Sequence, residues 1–178
     1  MDKIRLVATI LRYILLSVMV LLPVLHFLLW FSVNPLEAAT SHTVTLSWPT
    51  RENFYDHWEL SLIGASIDFI NVVFEILICY FLACLFKLYA KGQIFTAANV
   101  ACFRKLGIVI LVGKAVSYIE IPLLSWTVTW LHNPNAVRYM SPFRSTDLSV
   151  ILFAIFLIII SWIMGEAVKM SEEQELTI

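Results

Sequence analysis

The chain has 178 residues, of which 60% are hydrophobic and 14% are charged, and its formal net charge is −1. Soluble domains of ordinary composition carry about 25% charged residues, so this composition excludes an ordinary water-soluble globular domain. A net charge this close to zero also gives no electrostatic support for direct nucleic acid binding.

Four apolar segments are long enough to cross a bilayer as helices. A hydrocarbon core of roughly 30 Å requires about 20 apolar residues in helical form, and in lipid the backbone must satisfy its own hydrogen bonds. The predicted spans are residues 7–31, 60–85, 106–130 and 148–168. The sequence therefore predicts an all-α fold: an integral membrane four-helix bundle forming one transmembrane domain over residues 1–178.

The first span begins with the basic residues Lys3, Arg5 and Arg12, as a secretory signal peptide does. Its apolar part is longer than the usual length of about 7–15 residues. The nearby Glu37-Ala38-Ala39 is a poor cleavage site, because Glu stands where a small residue is needed. We interpret the span as a retained membrane anchor.

Lysine and arginine divide unevenly between the two sides of the predicted bundle. Cytoplasmic loops carry an excess of these residues, so the richer side is predicted to be the cytoplasmic one. Both termini and loop 86–105 are then cytoplasmic, and loops 32–59 and 131–147 are extracytoplasmic. The richer side has Lys3, Arg5, Arg12, Lys87, Lys91, Arg104, Lys105 and Lys169, against Arg51, Arg138 and Arg144 on the other. Tryptophans at the outer span ends are expected at headgroup level: Trp30, Trp58 and Trp130.

The outer loops contain one strand-like segment and several histidines. Residues 43–48 alternate polar and apolar side chains, which predicts a short β-like strand in the first outer loop. That loop is either a cap that meets a ligand or partner, or a plain connector. His42, His57 and His132 either bind a metal or sense pH, or are simply solvated, and their spacing favours the solvated reading.

Polar residues within the second and third spans form a candidate intramembrane network, because ionisable groups at membrane depth are costly and need partners. Its members are Asp68, Asn71, Glu75, Lys114 and Glu120. Spacings of three and four put the first three on one helical face. Counting the helical rise from the inner ends puts Glu75 and Lys114 at matching depth, which predicts an ion pair between them. Asp68 and Glu120 are two acids of the outer half with no obvious base between them.

This network has two readings. It is either a proton or cation pathway, or a structural set of polar contacts that fixes the order and register of the helices.

The cytoplasmic connection contains signals for a helix end and a helix start. Gly92 is placed to end the second helix, and Thr96 is placed to cap the next one, with Phe95 and Val100 as a hydrophobic staple. The new helix is predicted to run through Arg104-Lys105, which meet anionic headgroups, into the third span. The motif residues are Lys91, Gly92, Phe95, Thr96, Asn99, Arg104 and Lys105.

Signals for enzymatic chemistry are missing from the sequence. It contains no nucleotide-binding loop and no H-E-x-x-H, C-x-x-C or G-x-S-x-G motif. The cysteines Cys79, Cys84 and Cys102 match no metal motif, and we interpret them as buried or unreactive thiols. We therefore expect no catalytic residues, no metal, no cofactor and no enzyme activity.

Two stretches of the chain resemble the domain-of-unknown-function family 2975. They are Lys91-Gly92-Gln93-Ile94-Phe95-Thr96-Ala97-Ala98-Asn99-Val100 with the following Arg104-Lys105-Leu106-Gly107, and the ending Glu172-Glu173-Gln174-Glu175-Leu176-Thr177-Ile178. The resemblance implies a small bacterial inner-membrane protein with four spans and no established activity. Many members are encoded beside a small helix-turn-helix protein, which implies a membrane partner for a cytoplasmic regulator.

Three functions fit these observations. The first is a non-enzymatic sensor, regulator or accessory subunit in the lipid bilayer that contacts a small cytoplasmic DNA-binding regulator through residues 87–105 and the acidic tail. The second is a proton- or ion-coupled transporter or channel, which with four spans would need to be a homo-oligomer. The third is an immunity protein against a membrane-active toxin.

Overall fold

The structure, a computed structural model, describes residues 2–32, 58–132 and 147–175. Within these ranges it has four helices and no strand: α1 (Asp2–Ser32), α2 (Trp58–Ala90), α3 (Ala97–His132) and α4 (Asp147–Glu175). All four are long and apolar enough to cross a membrane. The predicted all-α fold with four membrane-spanning helices is confirmed, and the protein is a multi-pass membrane protein.

Several predictions concern residues that the structure does not describe. The strand-like segment 43–48, His42, His57 and the greater part of both outer loops lie outside the described residues, as do the side chains of Trp58 and His132. The sidedness of the termini and the bacterial inner membrane as location stay predictions.

The contacts of the chain cluster into two compact units. Among the described residues, unit 1 contains 2–20, 74–116 and 147–175, and therefore parts of all four helices. Unit 2 contains 21–32, 58–73 and 117–132, which belong to α1, α2 and α3. The single transmembrane domain over residues 1–178 stays a prediction.

The connection between α2 and α3, in unit 1, has the predicted helix end. Gly92 has a positive φ of 78°, a backbone conformation that glycine adopts without steric cost. The Gly92 N–H donates to the carbonyl of Tyr89 at 2.9 Å, and the Gln93 N–H donates to that of Leu88 at 3.0 Å. These two bonds are the Schellman pattern that ends a helix at a C′ glycine.

The start of α3 is also built as predicted. The hydroxyl of Thr96 accepts from the Asn99 N–H at 3.4 Å, and α3 continues from Ala97 through the basic pair into the third span. Asn99 is completely buried, and its amide donates to the carbonyls of Gln93 and Ile94, both at 2.6 Å. Phe95 is 74% exposed, so a staple with Val100 buries little of its ring.

Small residues bring α3 and α4 together in unit 1. A Cβ built on Gly107 would lie 2.7 Å from Cγ1 of Ile158 and 2.8 Å from the carbonyl oxygen of Ala154. Such close approach between membrane helices is typical of positions that hold a small residue. Gly107 therefore sets the distance between α3 and α4 at this level.

Candidate functional site

The described polar residues of unit 2 gather on facing sides of three helices. His26 and Trp30 lie four residues apart on α1, and Asp68 and Asn71 lie three apart on α2. Both spacings keep the paired side chains on one side of their helix. Glu120, on α3, completes the set. His26, Trp30 and Glu120 are buried, although all three helices are apolar overall.

Asp68 is contacted by two groups of α1. The indole N–H of Trp30 donates to Oδ2 of Asp68 at 3.0 Å. Nδ1 of His26 lies 3.6 Å from the same oxygen. Nε2 of His26 lies 3.0 Å from the backbone carbonyl oxygen of Ala65, and because a carbonyl only accepts, Nε2 carries a proton. His26 and Trp30 thus bind α1 to α2 through a carboxylate and a backbone carbonyl.

The position of the Trp30 ring depends on Gly64. A Cβ built on Gly64 would overlap the six-membered ring of Trp30. The absence of a side chain at Gly64 is what lets the indole lie against α2 and reach Asp68. Trp30 is 6% exposed and its N–H bonds to Asp68 inside the protein, so the indole is not presented to lipid headgroups. Its level relative to the membrane stays a prediction. Trp130 is exposed and stacks on Trp126, as an interfacial residue can.

Aromatic rings surround the His26 end of the cluster. His26 lies edge-on to Phe27 at 5.5 Å between centroids and tilted against Phe69 at 5.8 Å. Phe27 and Phe69 also contact each other, at 5.7 Å. These distances are typical of favourable aromatic pairs. The rings place apolar surface around the imidazole, which limits the ways in which it can turn away from Asp68.

Asn71 and Glu120 form the second contact of the cluster, between α2 and α3. The side-chain amide of Asn71 donates to Oε2 of Glu120 at 2.6 Å. Glu120 is only 3% exposed. Its other oxygen, Oε1, has no hydrogen-bond partner among the residues that the structure describes. A carboxylate has about four acceptor positions, so one donor leaves this group under-satisfied.

The five residues of the predicted network are divided between the units. Asp68, Asn71 and Glu120 belong to unit 2, whereas Glu75 and Lys114 belong to unit 1. In unit 1 the ammonium of Lys114 pairs with Oδ1 of Asp147 at 2.6 Å. The ion pair between Glu75 and Lys114 stays a prediction.

Three residues of these contacts were not predicted to take part in them: His26, Trp30 and Asp147. A signal for the first two was present, because a histidine and a tryptophan four residues apart in an apolar span share one helical side. Asp147 was assigned to the outer loop. Its position as the first residue of α4, opposite a lysine within α3, follows from the packing of helices and has no local signal.

The residues predicted to form a cytoplasmic motif lie in the α2–α3 turn and the first turns of α3, in unit 1. Lys91, Arg104 and Lys105 are exposed. The guanidinium of Arg5 lies against Gly92, where an added Cβ would be 3.0 Å from its nearest nitrogen. The Lys105 ammonium lies 5.9 Å from the centroid of the Phe81 ring, close enough for a cation–π contact.

The chemistry available to the described residues is limited. Among them no group of three or more His, Cys, Asp and Glu side chains is arranged to hold a metal ion. The three cysteines are free thiols. What the arrangement offers is a buried acid–amide–imidazole cluster in unit 2 and an ordered basic turn in unit 1.

Comparison with known proteins gives one match. A family model described as "Protein of unknown function (DUF2975)" matches residues 36–178, which is most of the chain. Neither a curated protein nor a solved structure matches the chain.

Proposed function

The chain belongs to the DUF2975 family, a family of proteins of unknown function, and we propose that it is a non-enzymatic regulatory subunit of the bacterial inner membrane. In this proposal the turn between α2 and α3 is the surface that contacts a cytoplasmic partner. The partner is a small DNA-binding regulator of the helix-turn-helix type, the kind of protein that the family resemblance implies.

One observation carries the proposal: the turn is ordered by its own hydrogen bonds, yet it exposes an aromatic side chain. Asn99 and Gly92 fix the backbone on either side of Phe95, and Phe95 is 74% exposed. An aromatic residue on a rigid support loses little conformational freedom on binding. Aromatic anchors of this kind commonly supply most of the energy of an interface.

The charges around Phe95 indicate the character of the partner surface. Lys91 on one side and the Arg104–Lys105 pair on the other are exposed and basic. Complementary charge increases the association rate and suppresses wrong partners. We therefore expect the contacting surface of the regulator to be acidic around an apolar recess that accepts the Phe95 ring.

The experiment measures binding between two purified proteins. The membrane protein in lipid nanodiscs is immobilised, and a purified small helix-turn-helix protein, of the kind that the family resemblance implies, is titrated in solution. We expect saturable binding, weakened at least about tenfold by Phe95→Ala, which corresponds to about 1.4 kcal/mol. The matched control is Phe153→Ala, because Phe153 is also exposed but lies within the α4 span.

Two outcomes would contradict the proposal. One is no binding by the wild-type nanodiscs beyond that of empty nanodiscs. The other is binding that Phe95→Ala and Phe153→Ala leave equally strong, since the turn would then not be the contact surface.

A further inference from the structure

The least satisfied buried group among the described residues of unit 2 is the carboxyl of Glu120. Its side chain is 3% exposed, Oε2 accepts one bond from the Asn71 amide at 2.6 Å, and Oε1 has no partner within the described part of the chain. A buried oxygen of this kind is rare in proteins and indicates a bound species or a protonated group.

The charged groups facing Glu120 do not favour a carboxylate. From α2 the cluster contributes Asp68, an acid, and Asn71, which is neutral. From α1 it contributes His26, whose Nδ1 is directed at Asp68 and whose Nε2 is bonded to a backbone carbonyl. On α3 the nearest basic residue along the chain is Lys114, and its ammonium pairs with Asp147.

An isolated negative charge is expensive in such a place. Burying an ionised carboxylate without a matching cation is far more costly than burying the neutral acid, so a buried acid tends to take up a proton. Membrane surroundings increase that cost. A neutral carboxyl keeps Oε2 as the acceptor for Asn71 and places the hydrogen on Oε1, the oxygen that no described donor reaches.

We propose that Glu120 is a proton-binding site, with a hydrogen held on Oε1 at neutral pH. On release the O–H bond breaks, the proton passes to water, and the electron pair remains on Oε1. The carboxylate so formed adds a negative charge to a cluster that already contains Asp68. The proposal does not rest on the regulatory function, because it concerns the ligand of one buried side chain.

Infrared spectroscopy of the whole protein in lipid nanodiscs tests the proposal. We subtract the spectrum of Glu120→Gln from that of the wild type at about pH 7. The expected result is a carbonyl stretching band of one protonated carboxyl, which shifts in heavy water. The same subtraction with Glu166→Gln is the control, because Glu166 is 69% exposed and lies 3.5 Å from Lys169. It is expected to show the bands of a carboxylate.

A second measurement covers the case in which Glu120→Gln does not fold. Solid-state NMR of wild-type protein with labelled glutamate and asparagine side chains identifies the Glu120 carboxyl by transfer from the Asn71 amide nitrogen, which lies 2.6 Å from Oε2 of that carboxyl. A chemical shift of a protonated acid supports the proposal. A carboxylate shift, or a wild-type minus Glu120→Gln spectrum with carboxylate bands alone, overturns it.

Discussion

Removing Lys114 is expected to destabilise the protein more than removing any exposed lysine. The side chains of Lys114 and Asp147 are 18% and 6% exposed, and the ammonium lies 2.6 Å from the carboxylate. In Lys114→Met the buried carboxylate loses its cation. Breaking a buried ion pair in this way costs about 3–5 kcal/mol, or roughly a hundredfold or more in the unfolding equilibrium.

The geometry of α3 and α4 explains why the protein is expected to be sensitive to substitution of the Lys114–Asp147 ion pair. Lys114 lies seven residues after Gly107 on α3, and Asp147 lies seven residues before Ala154 on α4. Seven residues correspond to about 10.5 Å of helix on each side. The ion pair and the Gly107–Ala154 contact therefore share one antiparallel register, so a lysine that moved to find water would disturb both contacts.

The assay is reversible unfolding in mixed micelles of increasing denaturing detergent, with the double variant Lys114→Met/Asp147→Leu included. An apolar pair of similar volume replaces the ion pair without leaving a charge behind, and such replacements are often neutral. We expect the double variant to be more stable than Lys114→Met. The control is Lys169→Met, whose pair with Glu166 is about 70% exposed on both sides and is expected to contribute nothing measurable.

Two results would refute this reasoning. If Lys114→Met and Lys169→Met unfolded at the same detergent fraction, the Lys114 pair would not be a buried contact. If the double variant lost as much stability as the sum of Lys114→Met and Asp147→Leu, each measured alone, Lys114 and Asp147 would contribute independently and would not act as a pair.

Two further substitutions test the packing of each unit. Gly107→Val places a Cβ 2.7 Å from Ile158, and overpacking of this kind is expected to cost about 1–3 kcal/mol. The control is Gly165→Ala, whose Cβ would lie 3.5 Å from Cγ1 of Val100. We expect this control to be tolerated in the same unfolding assay. Trp30→Phe keeps an aromatic ring but removes the indole donor to Asp68, and we expect a loss of at least about 0.6–2 kcal/mol, the range for hydrogen bonds between membrane helices. Wild-type stability of Gly107→Val would contradict the close contact between α3 and α4. Wild-type stability of Trp30→Phe would contradict the hydrogen bond to Asp68.

The helices and the α2–α3 turn were predictable because their causes are local. About 20 apolar residues in lipid have one viable backbone structure. A glycine that must adopt a positive φ and a threonine that caps a helix act within a few residues of themselves. Gly92 and Thr96 therefore have the predicted roles. The structure adds that the buried amide of Asn99 donates to the carbonyl of Gln93 in the turn.

Counting depth along the helices did not predict the ion pair between Lys114 and Asp147. α3 begins at Ala97, nine residues before the predicted span of 106–130, and nine residues are about 13.5 Å along a helix. A depth counted from the predicted inner end is therefore uncertain by several side-chain lengths. Hydropathy also does not distinguish an indole that faces headgroups from one that bonds to an acid on the next helix, so the Trp30–Asp68 bond was not predicted.

Asp68 and Asn71, two polar residues on one face of α2, contact two different neighbouring helices. Asp68 and Asn71 are three residues apart, about 60° around the helix, and each contacts a different neighbour. Asp68 accepts from α1 and Asn71 donates to α3. Lipid tails are as apolar as leucine, so apolar packing alone does not tell a helix which neighbour to choose. Two polar groups at slightly different angles supply that choice.

A role in ordering the helices can be told apart from a role in binding a proton by how the buried oxygens are matched. A network that served only to order three helices would match each buried acceptor with a donor, because an unmatched group weakens the contact that it is meant to stabilise. Oδ2 of Asp68 fits that description, since the indole N–H of Trp30 donates to it. Glu120 does not, because one of its two buried oxygens is unmatched within the described residues. Helix ordering accounts for the contact of Asp68, and Glu120 is the acid for which we propose a bound proton.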